Sequence, residues 1–267
     1  MRELSSNEEY ENWLKHEIFS KTCIPPETPF FLRLDGWKFK ELSEALGAEK
    51  PFDKKFAKCL VSSAKILYRK GFNPTLIYAA SDELNILFAD SAPFRGRVEK
   101  LDSLIAGLIS SAFALNLQKI FGKELVTAFD SRVVVASGSE GIFEYLAWRQ
   151  MNVWRNHNNA YAYWILRKLG HKPLEIARKV KGLKTEELHE MLFEHGVNLA
   201  KTPQWQRRGI LVYKEPFLKK IGEQRVARRR VRENWKLPLF TSKHGTKLLK
   251  KIIKWHISQK QDRAKTC

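Results

Sequence analysis

Cysteine is scarce in this chain, and its placement excludes several classes of protein. Only Cys23, Cys59 and Cys267 occur among 267 residues. They have no spacing typical of a metal site and are too few for a disulfide framework. Because few and unpaired cysteines are typical of reducing compartments, we expect a cytoplasmic protein.

Long apolar runs, internal repeats and low-complexity linkers are also lacking. No uninterrupted apolar run approaches the roughly 20 residues of a membrane span, and residues 1–9 are polar and acidic. The sequence therefore predicts a soluble protein with no membrane partner. Its 267 residues, 43% of them hydrophobic, suffice for one large domain or two small ones with a real core.

Negative charge is in short supply. The chain has 48 Lys and Arg against 29 Asp and Glu, a net charge of +19. Residues 217–267 carry 16 of those cations and only 3 acids, so 13 of the 19 net charges lie there. Such a distribution favours a polyanionic partner over a merely solvated surface, and we expect the run Arg228-Arg229-Arg230 to face nucleic acid.

Against this background, two short acidic phrases are the most informative feature present. Asp35-Gly36 closes the strand-like run 29–34, and Ser81-Asp82-Glu83 lies between the strand-like runs 75–80 and 84–88. Acidic side chains at strand ends can hold Mg²⁺ over a triphosphate, which predicts a nucleotidyl transferase. Taken alone, Asp35-Gly36 would also fit an ordinary turn after a strand.

The order of elements in the first half predicts the fold class. A strand at 29–34 precedes a helix that Asp53 caps, and the hairpin 75–88 follows. A long helix and a strand at 133–135 complete the pattern strand, helix, strand, strand, helix, strand. This is the α+β, ferredoxin-like arrangement of polymerase palms, an antiparallel sheet with two helices on one face. Neighbouring first and third strands would bring Asp35 and Asp82 together. The apolar stripe expected on the long helix is Leu101, Leu104, Ile105, Leu108, Ala112 and Leu115.

The second half reads as mainly helical. Helices are expected over 141–170, from Pro173 onwards and after 184–187, followed by a strand at 210–213. We therefore predict a palm-like catalytic region over 1–138, a helical, fingers-like accessory region over 139–215 and a basic RNA-binding tail over 216–267. Together they are expected to form one compact unit.

Ordered motifs across residues 29–215 give the chain a family resemblance. It resembles the tRNA-His guanylyltransferases and guanylyltransferase-like proteins, which add nucleotides to the 5′ end of tRNA in the 3′-to-5′ direction. The matching motifs are Arg33-Leu34-Asp35-Gly36 with Phe39, Lys50-Pro51-Phe52-Asp53, Ser81-Asp82-Glu83, Arg97 with Lys100, Phe129-Asp130-Ser131-Arg132, Tyr145-Leu146-Ala147-Trp148-Arg149-Gln150 and Arg207-Arg208-Gly209.

The resemblance implies a mechanism. Asp35, the backbone carbonyl of Gly36 and Asp82 would bind two Mg²⁺ ions, and Glu83 would support the catalytic site. ATP or GTP would first activate the 5′-phosphate of tRNA, releasing pyrophosphate. The 3′-hydroxyl of an incoming nucleoside triphosphate would then attack the activated phosphate. The resemblance also implies a homotetramer.

Further residues are assigned by the same resemblance. Lys50, Arg97 and Lys100 are expected to contact the triphosphate, whereas Trp37 and Lys40 replace an Arg and a His of the family pattern. The full nucleotide-binding set is Asp35, Gly36, Trp37, Lys38, Phe39, Lys40, Lys50, Asp53, Ser81, Asp82, Arg97 and Lys100. The predicted tRNA-binding set is Arg132, Arg149, Trp154, Arg155, Asn156, Arg207, Arg208, Arg228, Arg229 and Arg230, of which the last three are assigned from the charge of the C-terminal region, where the resemblance fades.

One departure favours a branch of the family. Trp154-Arg155-Asn156-His157 stands where the enzymes dedicated to tRNA-His have His-Ile-Asn-Asn, and Leu188-His189-Glu190 stands where they have Lys-Asn-Glu. This favours the guanylyltransferase-like branch, which repairs 5′-truncated tRNAs by templated addition. The alternative is a dedicated tRNA-His guanylyltransferase. Trp154 would stack on an RNA end or pack between helices.

Two other classes share the predicted sheet. A nucleotidyl cyclase has the same two acids, but it gives no reason for the basic C-terminal region and no Gly-Gly-Asp-Glu-Phe phrase occurs. A non-catalytic RNA-binding module would carry stacking aromatics on its central strands. The comparable strands here carry Ile77, Tyr78, Leu84 and Ile86, with acids at the turn.

Overall fold

The computed structural model describes residue 13, residues 15–221 and residues 224–264. Six antiparallel strands form one sheet in the order β4-β1-β3-β2-β5-β6. The strands are β1 Phe30–Gly36, β2 Leu76–Ala80, β3 Glu83–Phe88, β4 Phe129–Val135, β5 Ile210–Ile221 and β6 Gln224–Asn234. The order of the first four strands, with β1 and β3 in the middle, confirms the predicted ferredoxin-like palm.

Helices occupy both faces of this sheet. Their bounds are α1 Phe39–Ala45, α2 Lys54–Ala64, α3 Ile66–Arg69, α4 Val98–Phe121, α5 Gly138–Lys168, α6 Pro173–Val180, α7 Thr185–Glu194, α8 Gln204–Arg208 and α9 Lys243–Ala264. As predicted, α2 begins after Asp53, whose carboxylate accepts backbone hydrogen bonds from Lys55 (2.6 Å) and Phe56 (3.0 Å).

The helices α2 and α4 pack together on one face of the sheet, as the fold class requires. The predicted apolar stripe of α4 is only partly correct. Leu101 and Ile105 are fully buried, but Leu104 is 45% and Leu115 is 68% exposed. The residues that α4 buries against the sheet are Leu101, Ile105, Ile109, Ala112, Phe113 and Leu117. This spacing of three to four residues leaves the other leucines on the outer side of the helix.

The helix α4 also qualifies the expectation about membrane spans. By length and composition it is long and apolar enough to cross a membrane. Here Ile105, Ile109 and Phe113 pack it into the core on the sheet. A core helix of a globular domain meets the same length and composition criterion.

Helices also cover the second face of the sheet. The predicted pattern placed two helices on one face only and did not include these. Phe31 and Leu87 point away from α2 and α4 because side chains alternate along a strand. They pack against Leu146 of α5 and Leu249 of α9 in a second cluster. The sheet is therefore a central layer with packed side chains on both faces.

The C-terminal region continues the palm sheet. The strand predicted at 210–213 extends to Ile221 and runs through the boundary expected between 215 and 216. It pairs with β2 through Ile77 and Val212 and with β6 along its whole length. The first part of the predicted basic tail is thus a long hairpin, and α9 packs back onto the sheet.

Candidate active site

The two acidic phrases meet at one end of the sheet. Asp35 at the end of β1 is paired in register with Glu83 at the start of β3. The amide of Gly36 donates a hydrogen bond of 3.1 Å to the carbonyl oxygen of Asp82. Ser81 completes the tight turn between β2 and β3 with a φ of 55°. As the topology predicted, Asp35 and Asp82 are neighbours.

Gly36 is required by its contact with Phe39. A Cβ atom at position 36 would overlap the Phe39 ring, which lies in the core between Phe113 and Phe129. The Phe39 ring has no space to move away from this atom, because protein cores are closely packed. A glycine therefore lets the backbone after Asp35 pass close to the first helix.

The surroundings of Asp82 disfavour its negative charge. Burial raises the pKa of its carboxyl group, and the nearby charges of Asp35 and Glu83 add to the rise. Hydrogen bonds from its own backbone and from Ser81 lower the pKa only in part. A cation between Asp35 and Asp82 would relieve this repulsion.

The donor set at this end of the sheet suits Mg²⁺. Among residues 13, 15–221 and 224–264, no group of three or more His, Cys, Asp or Glu side chains could hold a metal ion. Mg²⁺ needs fewer protein ligands, since it binds through one or two carboxylates together with waters and substrate phosphates. Asp35, Asp82 and the carbonyl of Gly36 supply such oxygens, so the residues present fit the ion.

Glu83 is the centre of a buried ion-pair network. It is 7% exposed. Its Oε2 accepts from Arg33 Nε at 3.1 Å, and its Oε1 accepts from Arg149 Nε at 2.8 Å and from Asn85 Nδ2 at 2.7 Å. Tyr145, whose pKa burial raises, donates to Asn85 Oδ1 at 2.6 Å. The carboxylate oxygens of Glu83 thus accept hydrogen bonds from protein donors, and Glu83 holds these neighbouring side chains in place.

Arg149 does not lie where the tRNA-binding prediction requires. It is 8% exposed, and its guanidinium pairs with both carboxylate oxygens of Glu83. A buried arginine is held by its partner because an unpaired buried charge is costly. The structure therefore favours a role inside the site.

Arg33 belongs to the first matching motif, but no role in the site was predicted for it. Its guanidinium bridges Glu83 and Asp35, with Nη2 3.0 Å from Asp35 Oδ2. The signal was available, since residues two apart on a strand share a face, and Arg33 precedes Asp35 by two. Arg132 also approaches Asp35 Oδ2, at 3.4 Å, and pairs with Asp130 at 2.6 Å.

A cavity of about 250 Å³ opens beside Asp82. Lys50 Nζ lies 2.5 Å from Ser43 Oγ in its wall, and Asp53 Oδ2 accepts from the amide of Glu49 at 2.9 Å. Six predicted nucleotide-binding residues line the cavity: Phe39, Lys40, Lys50, Asp53, Ser81 and Asp82. Other lining residues were not predicted, among them Phe52, Trp205 and Gln206.

The other six predicted nucleotide contacts do not line this cavity: Asp35 and Gly36 lie at the neighbouring end of β1, and Trp37, Lys38, Arg97 and Lys100 also lie outside its wall. Trp37 is 61% exposed, and Lys38 Nζ lies 4.9 Å from its ring centroid. Arg97 forms a bridge with Cys23 ahead of β1 and pairs with Glu99, while Lys100 is exposed on the first turn of α4. The described contacts do not bring Arg97 or Lys100 to Asp35 and Asp82.

The predicted tRNA-binding residues are spread over several surfaces. Arg132, Arg155 and Asn156 are exposed, and so are Arg228, Arg229 and Arg230 on β6. Arg207 Nε donates to the carbonyl of Thr202 at 3.1 Å, and Arg208 donates to that of Leu237 at 3.0 Å. Burial and the charge of Arg208 lower the pKa of Arg207.

Trp154 packs between helices. Its ring stacks on His157 with centroids 5.3 Å apart and meets His189 of α7 edge-on at 5.5 Å. His157 is fully buried, and burial lowers its pKa to about 4. The neutral imidazole contacts Thr202 Oγ1 at 2.9 Å. The packing alternative for Trp154 is therefore the one that these contacts support.

Comparison with known proteins places this site in a family. A family model described as tRNAHis guanylyltransferase matches residues 10–137, and the Thg1 C-terminal domain model matches residues 140–264. The tRNA(His) guanylyltransferase of Candida glabrata is 31% identical over 202 residues, covering 72% of this chain and 85% of the relative. That of Saccharomyces cerevisiae is 30% identical over 198 residues, covering 71% and 84%.

Solved structures agree with the sequence matches. The crystal structure of the Saccharomyces cerevisiae enzyme has a TM-score of 0.68 at 26% identity, covering 81% of this chain and 94% of that one. A bacterial Thg1-like protein in complex with ATP has a TM-score of 0.74 at 20% identity, covering 91% and 98%. At that identity the likeness concerns the fold alone. From the family matches, which span most of its length, this chain belongs to the tRNA(His) guanylyltransferase family of nucleotidyltransferases.

Proposed function

We propose that this protein adds guanylate to the 5′ end of tRNA(His). The observation that carries the proposal is the adjacency of Asp35 and Asp82 beside a cavity lined by Lys40 and Lys50. Paired carboxylates with cations alongside suit phosphoryl transfer from a nucleoside triphosphate. The names of the Candida glabrata and Saccharomyces cerevisiae relatives support guanylate addition to tRNA(His) as the specific activity.

Asp35, Asp82 and the carbonyl of Gly36 would hold two Mg²⁺ ions. When bound, the ions would lower the pKa of an attacking hydroxyl and neutralise a leaving pyrophosphate. Lys40 and Lys50, which line the same cavity as Asp82, would bind the triphosphate. The solved ATP and GTP complexes of bacterial Thg1-like proteins support these nucleotides as substrates.

The protein's own residues would hold this arrangement rigid. Arg33 holds Asp35 in place by a 3.0 Å ion pair, and Glu83 holds Arg33 by a second ion pair of 3.1 Å. Arg149 neutralises Glu83, so the buried acid does not add its full charge to the metal site. Preorganised side chains of this kind need little rearrangement during the reaction.

Templated repair of 5′-truncated tRNAs is the second candidate. The replacement of the His-Ile-Asn-Asn stretch by residues 154–157 favours it. The packing of Trp154 against His157 gives that replacement a structural reason, which weakens its bearing on the choice of tRNA. We therefore place guanylate addition first.

A homotetramer is part of the proposal. The outer side of α4 exposes Leu104 and Leu115, at 45% and 68%, and a second copy of the chain could cover them. Sedimentation equilibrium would measure the assembly directly. A monomer at micromolar concentration would remove this part of the proposal.

The decisive substrate test is 5′-end extension of two labelled tRNAs with Mg²⁺, ATP and all four nucleoside triphosphates. One is a full-length tRNA(His) and the other a tRNA that lacks its first nucleotide. Guanylate added to tRNA(His) alone supports the proposal, whereas templated filling of the truncated tRNA alone would establish the repair activity. Extension of neither would leave an RNA-binding module.

A further inference from the structure

A second cavity lies between the β5–β6 hairpin and α9, and the site described above does not use it. Its volume is about 590 Å³. Leu248, Ile252 and Trp255 line it from one side of α9, at the i, i+4 and i+7 spacing of a single helix face. Tyr213 and Pro216 of β5 form the facing wall. The groove between hairpin and helix is therefore apolar and partly aromatic.

Cations border the groove on the helix side. Lys251 and Lys254 are exposed and also line it. They precede Ile252 and Trp255 by one residue each, so they follow the apolar row along its edge. An apolar floor beside a row of ammonium groups suits a ligand that has both a flat apolar part and negative charge.

Arginines border the hairpin side. Arg228, Arg230 and Arg232 alternate along β6, so they share the face that Tyr213 presents, since Tyr213 is the direct partner of Arg232. Glu215 accepts from Arg230 at 2.8 Å and from Arg232 at 2.9 Å. Among the residues that line the groove, the single carboxylate of Glu215 is outnumbered by the cations Lys214, Arg232, Lys251 and Lys254, which leaves an excess of positive charge.

We propose that this groove binds an unpaired nucleotide of RNA, with its base against Trp255. The phosphates on either side of that nucleotide would lie at Lys251 and Lys254. Aromatic side chains that stack a base beside backbone-tracking cations are the common solution for single-stranded nucleic acid. The inference rests on the proposed function for RNA as the substrate, but its residues are separate from the cavity beside Asp82.

The charge of the rim separates this ligand from other occupants. An apolar peptide would place no negative charge beside Lys251 and Lys254. An RNA duplex would place phosphates on the cations but leave Trp255 and Tyr213 without a base, because duplex bases are already stacked. An unpaired nucleotide satisfies both parts of the groove.

The test compares binding of four RNAs to the full-length protein. They are a tRNA with its unpaired 3′ nucleotides, the same tRNA trimmed of them, a short single strand and a blunt duplex. The variants are Trp255→Ala, Trp255→Phe and the double substitution Lys251→Ala with Lys254→Ala. The control removes two exposed lysines elsewhere, Lys168→Ala with Lys181→Ala.

Trp255→Ala is expected to weaken binding of the short single strand about 5-fold or more, and Trp255→Phe less than about 2-fold. The Lys251 and Lys254 double variant should reduce the slope of log K against log salt by about 1.4 for the single strand, at about 0.7 per lost phosphate contact. Blunt duplex, which offers no unpaired base, should bind Trp255→Ala and Trp255→Phe as it binds the wild type. Weaker binding of the untrimmed tRNA alone by Trp255→Ala would identify the 3′ end of tRNA as the source of the nucleotide. Equally weakened binding of both tRNAs would show that the nucleotide comes from a loop.

Equal binding of the single strand by Trp255→Ala and wild type would overturn the proposal. So would an equal loss for single strand and duplex, or a loss in the lysine control as large as in the groove variant. Thermal unfolding and GTP binding check that each variant is folded, and Trp255→Phe and the lysine pair remain informative if Trp255→Ala is not. If the wild type extends no tRNA, the proposed function fails while the single-strand comparison still decides the groove.

Discussion

The amide nitrogen of Gly36 lies 3.1 Å from the carbonyl oxygen of Asp82 and donates a hydrogen bond to it. This contact joins the end of β1 to the turn between β2 and β3. It fixes the two acidic phrases relative to each other although 46 positions separate Gly36 from Asp82 in the sequence. The separation of the Asp35 and Asp82 carboxylates is therefore set by the sheet.

Asp82→Asn should abolish nucleotidyl transfer without destabilising the fold. The pKa of Asp82 is raised in the folded protein, mainly by burial, so its ionised form costs stability at neutral pH. An asparagine of the same shape removes that charge. We expect a Tm at pH 7.5 equal to or above that of the wild type, measured by thermal unfolding, and no product in the extension assay.

The pH dependence of this difference follows from the direction of the shift. A raised carboxyl pKa means that the folded state binds the proton more tightly, so the stability cost of Asp82 appears as pH rises through its folded pKa. The difference in Tm between Asp82→Asn and the wild type should therefore be largest at neutral pH and become smaller towards pH 3. Asp35→Asn is the control, because it should also abolish transfer but removes a carboxylate that pairs with Arg33 and Arg132, which keep only Glu83 and Asp130 as charged partners. An advantage of Asp82→Asn that grows on acidification would contradict the burial argument.

Arg149→Ala should reveal an interior role for this residue. It would leave Glu83 buried with only part of its charge neutralised, at a cost of about 3–5 kcal/mol in the free energy of unfolding. Urea denaturation measures that cost. Arg132→Ala is the matched control, since its exposed pairs should contribute at most about 1 kcal/mol. If Arg149→Ala instead weakened tRNA binding and left unfolding unchanged, the sequence-based assignment would be right.

Gly36→Ala should impair both stability and transfer. The added methyl group would overlap the Phe39 ring, and such overpacking costs about 1–3 kcal/mol. Gly107→Ala provides the control, because a Cβ there meets no atom within 4 Å and its helical position should make alanine neutral or stabilising. Chemical denaturation and the extension assay report the two effects. Wild-type stability and transfer activity in Gly36→Ala would mean that the backbone at Gly36 and the Phe39 ring have room for the added methyl group.

Trp154→His should leave the choice of tRNA unchanged. Its contacts with His157 and His189 are packing contacts, so the smaller ring should lower the free energy of unfolding by about 1–3 kcal/mol. Arg155→Ala, at the exposed neighbouring position, should change stability by less than about 0.5 kcal/mol. Extension rates for tRNA(His) and a truncated tRNA give the preference. A shift towards tRNA(His) in Trp154→His would restore this position as a determinant of tRNA choice.

The sequence was sufficient to predict the palm because local signals agreed with the topology. Alternating apolar runs ended at Asp35-Gly36 and at Ser81-Asp82-Glu83, and Asp53 marked the start of a helix. Strand order then followed from the few arrangements that such a pattern allows. The adjacency of Asp35 and Asp82 could be predicted for the same reason.

Burial of charge and long-range contacts could not be predicted in this way. Arg149 reads as a surface cation until Glu83, far away in sequence, is known to face it. The strand that contains Arg228, Arg229 and Arg230 could not be recognised from the sequence. Its side chains are charged on both faces, so no alternation of apolar and polar residues marks it. Phe52 joins the cavity from one segment and Trp205 with Gln206 from another, and only the folded chain brings the two segments together.

Pyrophosphate release is the measurement that tests the central claim most directly. Full-length protein is mixed with 5′-monophosphorylated tRNA(His), ATP, GTP and Mg²⁺, and the wild type is compared with Asp35→Asn, Asp82→Asn and the control Gly107→Ala. We predict tRNA-dependent release by the wild type and by Gly107→Ala, and none by either aspartate variant, with tRNA affinity within a few-fold in all four. Release that persists in Asp35→Asn or Asp82→Asn would contradict the assignment of these carboxylates as the reaction centre.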